Sequence, residues 1–461
     1  MTSPRYHYEV WTNKVQDFVV FIPGVLGSVL KKDSTEVWGY HALLGRPGSV
    51  RTRLLNNLTL PIDAFDSEAT SSGSQIAADR ILPTPALLPG FWRTAGYRTI
   101  LSALESVAPG RVFTFPYDWR QSNRITARLL RKWLYGEIFQ SNGIGSGNRI
   151  VFVAHSMGGL VARYFAECLD DARVTTRIIT IGTPYLGAAK ALASIMDGTV
   201  KIGPVSLGLR ELLLSFPSVA ELLPVYPCIV DDLSASPRRA NLASFDQRVL
   251  DLLDHGDRFH RELHIRAKEN EGSGPRYSAI LGNRSRTEHM FRWDGKNLAS
   301  HETTDPYSDG DGTVSRISAS PPEWFDDSAA TFVNGRHATL HESRRVQRQI
   351  CGIISSRPRE PMDVGFSEFT IDSIDEVVLA GGILKAAVRS TSGSPLPPLL
   401  FSLFDSTGRR VGDVVPFRSH RHTNSIAAMT LEKPGVYSWE IRSPLGMSSA
   451  IDPITDVVWV A

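Results

Sequence analysis

The sequence predicts an α/β domain followed by a small all-β domain, and three observations carry that prediction. Through residue 354, short runs that are apolar at nearly every position alternate with helical patterns. One of those runs feeds a tight turn around a serine and then a helix. Beyond residue 354 the helical period stops, and short strand-like runs bounded by turn residues replace it.

The apolar runs are residues 18–22, 111–115, 149–154, 177–181, 277–281 and 329–333. A strand that is apolar at consecutive positions is buried on both faces, as in a parallel sheet covered by helices. Helix-like stretches at 97–107, 159–169 and 340–354 lie between or after these runs, so residues 1–354 read as a doubly wound α/β domain. Two insertions break the rhythm: residues 33–90, which include Ser71-Ser-Gly-Ser-Gln75, and residues 190–275, which include the leucine-dense stretch 207–224. Ligands of open α/β sheets bind outside the carboxyl ends of the strands, so both insertions read as cap or lid elements. The competing reading is that they extend the core. Leucines in 207–224 outnumber what one buried helical stripe needs, and the surplus is expected to face an acyl chain or a membrane.

Residues 355–362 are a proline-rich, charged linker, and residues 363–461 read as an immunoglobulin-like β-sandwich with strand runs at 376–388, 399–405, 425–431 and 436–441. Because every catalytic motif precedes the linker, the sandwich is expected to be separable from catalysis. Docking to a protein partner or a surface is the role that analogy offers.

Composition narrows the function. At 42% apolar and 21% charged residues, the chain is neither disordered nor fibrous. Fifty basic against 48 acidic side chains leave a formal charge of +2, which argues against a nucleic-acid partner. Three scattered cysteines form neither a disulfide framework nor a zinc cluster and suit a reducing compartment. The first apolar run, residues 18–22, is shorter than the roughly 7–15 residues of a signal-peptide core. A cytoplasmic protein is expected.

The chemistry centres on Ala154-His-Ser-Met-Gly158, between the apolar run 149–154 and the helical stretch that follows. Small residues on either side of Ser156 permit the strained strand-to-helix turn that lifts a nucleophilic hydroxyl out of the backbone: the nucleophile elbow of α/β-hydrolases. A serine hydroxyl is a poor nucleophile unless a base and an orienting carboxylate assist it. In this fold the chain order is serine, carboxylate, histidine. Asp311, within Ser308-Asp-Gly-Asp-Gly-Thr-Val314, and His337, within Asn334-Gly-Arg-His337, occupy loops in that order.

His341 would project from a helix beginning near Ala338, Asp305 and Asp309 read as loop polarity, and His155 reads as structural. The oxyanion donors are expected to be the backbone N–H groups of Met157, after the nucleophile, and Val25, in Phe21-Ile-Pro-Gly-Val-Leu-Gly-Ser28.

Five segments, in order across residues 18–354, resemble the lecithin:cholesterol acyltransferase family, which includes lysosomal phospholipases A and bacterial lipase-like members. They are Ile22-Pro-Gly-Val-Leu-Gly27, Phe115-Pro-Tyr-Asp-Trp-Arg120, Ala154-His-Ser-Met-Gly158, Gly182-Thr-Pro-Tyr-Leu-Gly187 and Gly310-Asp-Gly-Thr-Val314. The resemblance implies the same triad and oxyanion hole, and a supporting role for the segment containing Asp118. It does not cover the tail, and the chain lacks the lid-disulfide cysteines of secreted members.

No cofactor or metal is expected. Gly143-Ile-Gly-Ser-Gly147 precedes a strand instead of following one, so it reads as a turn. Asp309-Gly-Asp-Gly312 lacks the closing glutamate of a calcium loop, and the glutamate of His260-Arg-Glu-Leu-His264 is displaced for a zinc protease. His420 and His422 lie in a basic loop and read as solvated. The functional expectation is a serine hydrolase of lipid carboxylic esters, with water or an alcohol accepting the acyl group, working at a membrane surface. An esterase or thioesterase for soluble acyl substrates, and a non-catalytic adaptor binding protein through the sandwich, are the alternatives.

Overall fold

The computed structural model describes residues 17–39, 47–61, 65, 76–88, 91–140, 149–197, 199–202, 205–230, 236–283, 285–301, 309–324, 330–355, 369–390, 396–421, 424–444 and 453–461. Its central sheet consists of Phe18–Ile22 (β1), Val112–Thr114 (β2), Ile150–His155 (β3), Thr175–Ile181 (β4), Arg276–Asn283 (β5) and Thr331–Asn334 (β6). Their order is β6-β5-β4-β3-β1-β2 and every pairing is parallel. These are the six apolar runs of the sequence.

Alternation sorts each strand's side chains between two layers. Val19, Phe21, Val151 and Val153 pack with Ile100 and Leu104 of the helix Arg98–Val107 (α1) and with Val346 and Ile350 of the helix Arg344–Ile354 (α4). Val20, Ile22 and Phe152 join the larger cluster containing Leu160 and Phe165 of the helix Gly158–Cys168 (α2) and Leu252 and Phe259 of the helix Gln247–Glu269 (α3). With both faces covered, consecutive apolar residues are what β1 and β3 require.

The fold is that of an α/β-hydrolase. Strand order reverses between β1 and β3, where the connection after β1 leaves to one side and that after β3 to the other. A crevice opens at the carboxyl ends of strands at such a switch point. The loop carrying Val25 follows β1 and Ser156 follows β3, so topology alone brings them together.

The insertions correspond to defined structure in part. Ser28–Lys32, Thr35–Trp38 and Ile76–Ile81 form a three-stranded sheet. Residues 71–75, 143–147 and 356–362, with Asp305 and His422, lie outside the described residues. In the leucine-dense stretch, Leu209, Leu212, Leu213, Leu214, Phe216, Val219, Leu222 and Leu223 are all buried in the large cluster. They complete the core and offer no open apolar face, contrary to the expectation of a lipid-facing surplus. The side chain of Leu207 is not among those described.

The tail folds as two sheets. One joins Phe369–Ile374, Gly382–Ser390, Asn424–Leu431 and Arg418–Arg421; the other joins Val377–Val378, Ile454–Val460, Gly435–Arg442, Leu400–Phe404 and Arg410–Pro416. Leu384, Val388, Phe401, Trp439, Ile454 and Val458 fill the space between them. The tail does not stand apart from the hydrolase. Val436, Val457, Trp459 and Ala461 belong to the large cluster that also holds Trp92 and Met157. Deleting residues 361–461 would therefore expose hydrolase core. The expected product is aggregated or inactive, as size-exclusion chromatography and a soluble-ester assay would reveal; a monodisperse, fully active hydrolase would contradict the shared core.

Candidate active site

Ser156 sits at the end of β3 with φ of +53°, a left-handed conformation unfavourable for a residue with a side chain. The surroundings hold it there. Its N–H donates to the Ile181 carbonyl at 2.9 Å, and its carbonyl accepts from Thr183 Oγ1 at 2.9 Å. Small neighbours are obligatory: a Cβ on Gly158 would lie 2.4 Å from the Pro23 carbonyl oxygen, and one on Gly24 would lie 2.9 Å from the Ser156 Cβ. Ala154, by contrast, is fully buried with its methyl accommodated.

His337 connects the other two predicted residues. Its Nε2 lies 2.8 Å from Ser156 Oγ and its Nδ1 2.7 Å from Asp311 Oδ2. The carboxylate fixes the tautomer: Nδ1–H donates to Asp311, which leaves the Nε2 lone pair for the serine proton. Asp311 is itself held, since Oδ1 accepts from the N–H groups of Thr313 at 2.9 Å and Val314 at 2.7 Å. Its carbonyl accepts the His337 N–H at 2.9 Å, locking the two loops. Gly282 permits this approach, because a Cβ there would fall 2.4 Å from the Asp311 Cβ. Ser156, Asp311 and His337 are 0%, 2% and 2% exposed, so their hydrogen bonds work away from water.

Among the described residues, neither the Val25 nor the Met157 N–H donates to a protein acceptor. Both are therefore available to an oxyanion. The loop carrying Val25 is clamped by the segment around Asp118. Tyr117 Oη donates to the Pro23 carbonyl at 2.9 Å, Ser28 Oγ accepts the Tyr117 N–H at 3.1 Å, and Trp119 Nε1 donates to the Ser28 carbonyl at 3.2 Å. The Asp118 carboxylate grips Arg120, at 2.8 and 2.6 Å.

Sequence reasoning missed a network behind the base. Tyr97 Oη accepts the Gly24 N–H at 3.0 Å and lies 2.9 Å from His155 Nδ1. His155 Nε2 lies 3.0 Å from the His337 carbonyl and donates to it. The nucleophile's neighbour thus ties the oxyanion loop to the base. His341 is buried rather than projecting: its Nε2 donates to the Gly96 carbonyl at 2.5 Å, and residues 337–342 form a 3₁₀ turn. Asp309 belongs to a short strand pair with Ser285 and Arg286. Over the base lies Trp92, edge-on to the His337 ring at 5.3 Å; its indole N–H has no partner within the described protein.

These buried histidines make acid destabilising. Burial, then repulsion from His341 and His337, holds His155 well below its ordinary value, and burial lowers His341 and His260 to about 4. The unfolded chain binds protons near 6.5 while the fold resists them, so stability is lost as pH falls from about 6.5 toward 4. At full titration this is about 3 kcal/mol each for His341 and His260. Glu342, raised by burial to about 7, and Glu440, also raised by burial, work in the opposite direction but are two groups against three. The urea midpoint is expected to be clearly lower at pH 5 than at pH 7; an equal or higher midpoint would contradict the neutral-histidine network.

Residues 94–265 match the family model described as Lecithin:cholesterol acyltransferase. The match includes the elbow and the Asp118 segment and ends before Asp311. No curated protein matches the chain. Solved structures with similarity include the lin2722 gene product from Listeria innocua, at 16% identity over 75% of this chain and 96% of that one, TM-score 0.32. Lipase BlEst2 from Bacillus licheniformis, in propeptide form, aligns at 12% identity over 96% and 93%, TM-score 0.33. Phospholipase PlaB from Legionella pneumophila aligns at 9% identity over 95% and 90%, TM-score 0.28.

Proposed function

We propose that this protein is a serine hydrolase of lipid carboxylic esters, and that Ser156, His337 and Asp311 are its catalytic triad. The observation that carries the reading is the hydrogen-bonded chain from Ser156 Oγ through the His337 ring to Asp311. In the first half-reaction Ser156 Oγ attacks the ester carbonyl while Nε2 of His337 takes its proton. The tetrahedral oxyanion receives the N–H groups of Val25 and Met157. His337 then returns the proton to the departing alcohol, and the acyl group remains on Ser156. In the second half-reaction water, or an acceptor alcohol, gives its proton to Nε2 and attacks the acyl carbonyl; Nε2 then returns the proton to Ser156 Oγ as the acid or a new ester leaves. Asp311 stabilises the imidazolium of both steps without taking the proton.

A lipid substrate is supported by the family match over residues 94–265. A site for long-chain esters takes the acyl chain from water into apolar surroundings. Each methylene moved from water into such surroundings is favourable by about 0.8 kcal/mol. Rates on p-nitrophenyl esters are therefore expected to rise steeply from acetate to octanoate. Phospholipid vesicles are expected to release fatty acid, measured by mass spectrometry against Ser156→Ala. A preference for acetate with untouched vesicles would favour a soluble-ester substrate instead.

A further inference from the structure

The final strand of the sandwich, Ile454–Val460, carries a carboxylate into the hydrolase. Asp456 is fully buried. Its Oδ2 lies 2.9 Å from Arg93 Nη2 and 3.0 Å from Arg336 Nε, while Oδ1 accepts the Val457 N–H at 2.9 Å. The two arginines are not peripheral. Arg336 precedes His337 in the chain, and its guanidinium lies against Gly312, where a Cβ would be 3.2 Å from Cζ; Gly312 follows Asp311. Arg93 follows Trp92, whose ring covers His337, and is close enough to Asp311 to feel its charge. Neighbouring contacts repeat the connection: Thr339 Oγ1 donates to the Thr455 carbonyl, and Glu376 meets Arg93 at 3.4 Å and Lys190 at 3.1 Å.

We propose that the C-terminal sandwich completes the catalytic machinery, with Asp456 as a positioning residue that sets the His337 loop through Arg336 and the strand Trp92–Thr94 through Arg93. The proposal deepens the hydrolase reading and rests on it. One carboxylate shared by two guanidiniums fixes both arginines against a third body. It also balances two positive charges beside the imidazole that must become positive during turnover. The groups facing His337 are Asp311 and Ser156 in front, the neutral rings of His155, His341 and Tyr97 behind, Trp92 above, and Glu342 on its own turn. Beyond Asp311, the charges nearest the loop are Arg336, Arg93, Asp456, Glu376 and Lys190.

The test is the pH dependence of kcat/KM on a soluble p-nitrophenyl ester, measured on the full chain with melting temperature recorded alongside. Asp456→Asn leaves Arg336 without its carboxylate and disfavours the imidazolium. The acid limb is expected to move to lower pH, and kcat to fall on the order of 10-fold with little change in KM. Arg336→Gln removes a positive charge and should move the acid limb the other way. The double variant should bring it back toward the parent position, because Arg93 keeps Glu376. If Asp456→Asn does not fold, the upward shift in Arg336→Gln still tests the proposal. Limbs unmoved in the folded variants, or shifted in one direction by both, would overturn it. A parent protein with neither turnover nor labelling of Ser156 would instead overturn the hydrolase reading.

Discussion

Replacing Ser156 or His337 with alanine is expected to lower kcat for ester hydrolysis by about 10⁴- to 10⁶-fold, because the members of such a triad act as one unit and the loss of either forfeits most of the shared effect. Both variants should remain folded. Ser156→Ala removes one oxygen from a turn whose backbone bonds to Ile181 and Thr183 survive. His337→Ala leaves Asp311 with its Thr313 and Val314 donors. Circular dichroism and melting curves establish the fold, and the soluble-ester assay measures the loss. If His337→Ala keeps its activity while His341→Ala is dead, the base has been misassigned.

The second large effect is expected at Gly158. A methyl there meets the backbone oxygens of Pro23 and Ile22 at 2.4 and 2.6 Å, and backbone cannot rotate out of the way. Overpacking of this kind costs about 1–3 kcal/mol or more. The element forced to shift is the loop that presents Val25, and an oxyanion donor misplaced by about 1 Å costs on the order of 100-fold in rate. Gly158→Ala should therefore be both less stable and at least that much slower. Ala154→Gly on the other side of the elbow, where the native methyl already fits, should cost only about 0.5–1 kcal/mol. Equal behaviour of the two variants in melting and turnover would show that elbow packing does not set the geometry.

The central sheet was legible because a strand buried on both faces shows itself as an uninterrupted apolar run, and residues 18–22 and 150–155 are buried throughout. The elbow was legible because the turn restricts residue size locally, within a few positions of Ser156. Asp311 and His337 were nominated by chain order, and the structure places His337 against Ser156 and Asp311 against His337. Other features depend on distances that no local pattern records. Leucines 212–214 read equally well as core or as a lipid-facing stripe, since helical spacing does not say what lies on the second face; the packing of α3 and its neighbours makes them core. Tyr97 reaches His155 across 58 positions, and Arg336 meets Asp456 across 120. A lone aspartate in a valine-rich terminal strand gave no sign of its partners. The packing of Val436, Val457, Trp459 and Ala461 into the hydrolase core was hidden for the same reason, and it weighs against a separable sandwich: composition marks the linker but not what packs across it.

The central claim is that Ser156 is an activated nucleophile, and covalent labelling tests it most directly. Incubated with a fluorophosphonate, the protein should gain the mass of one adduct, mapped by peptide mass spectrometry to Ser156. Labelling should vanish in Ser156→Ala and become very slow in His337→Ala, because the hydroxyl then lacks its base. An unlabelled parent protein, or an adduct that persists on another residue in Ser156→Ala, would contradict the account and favour a hydrolase scaffold retained for binding.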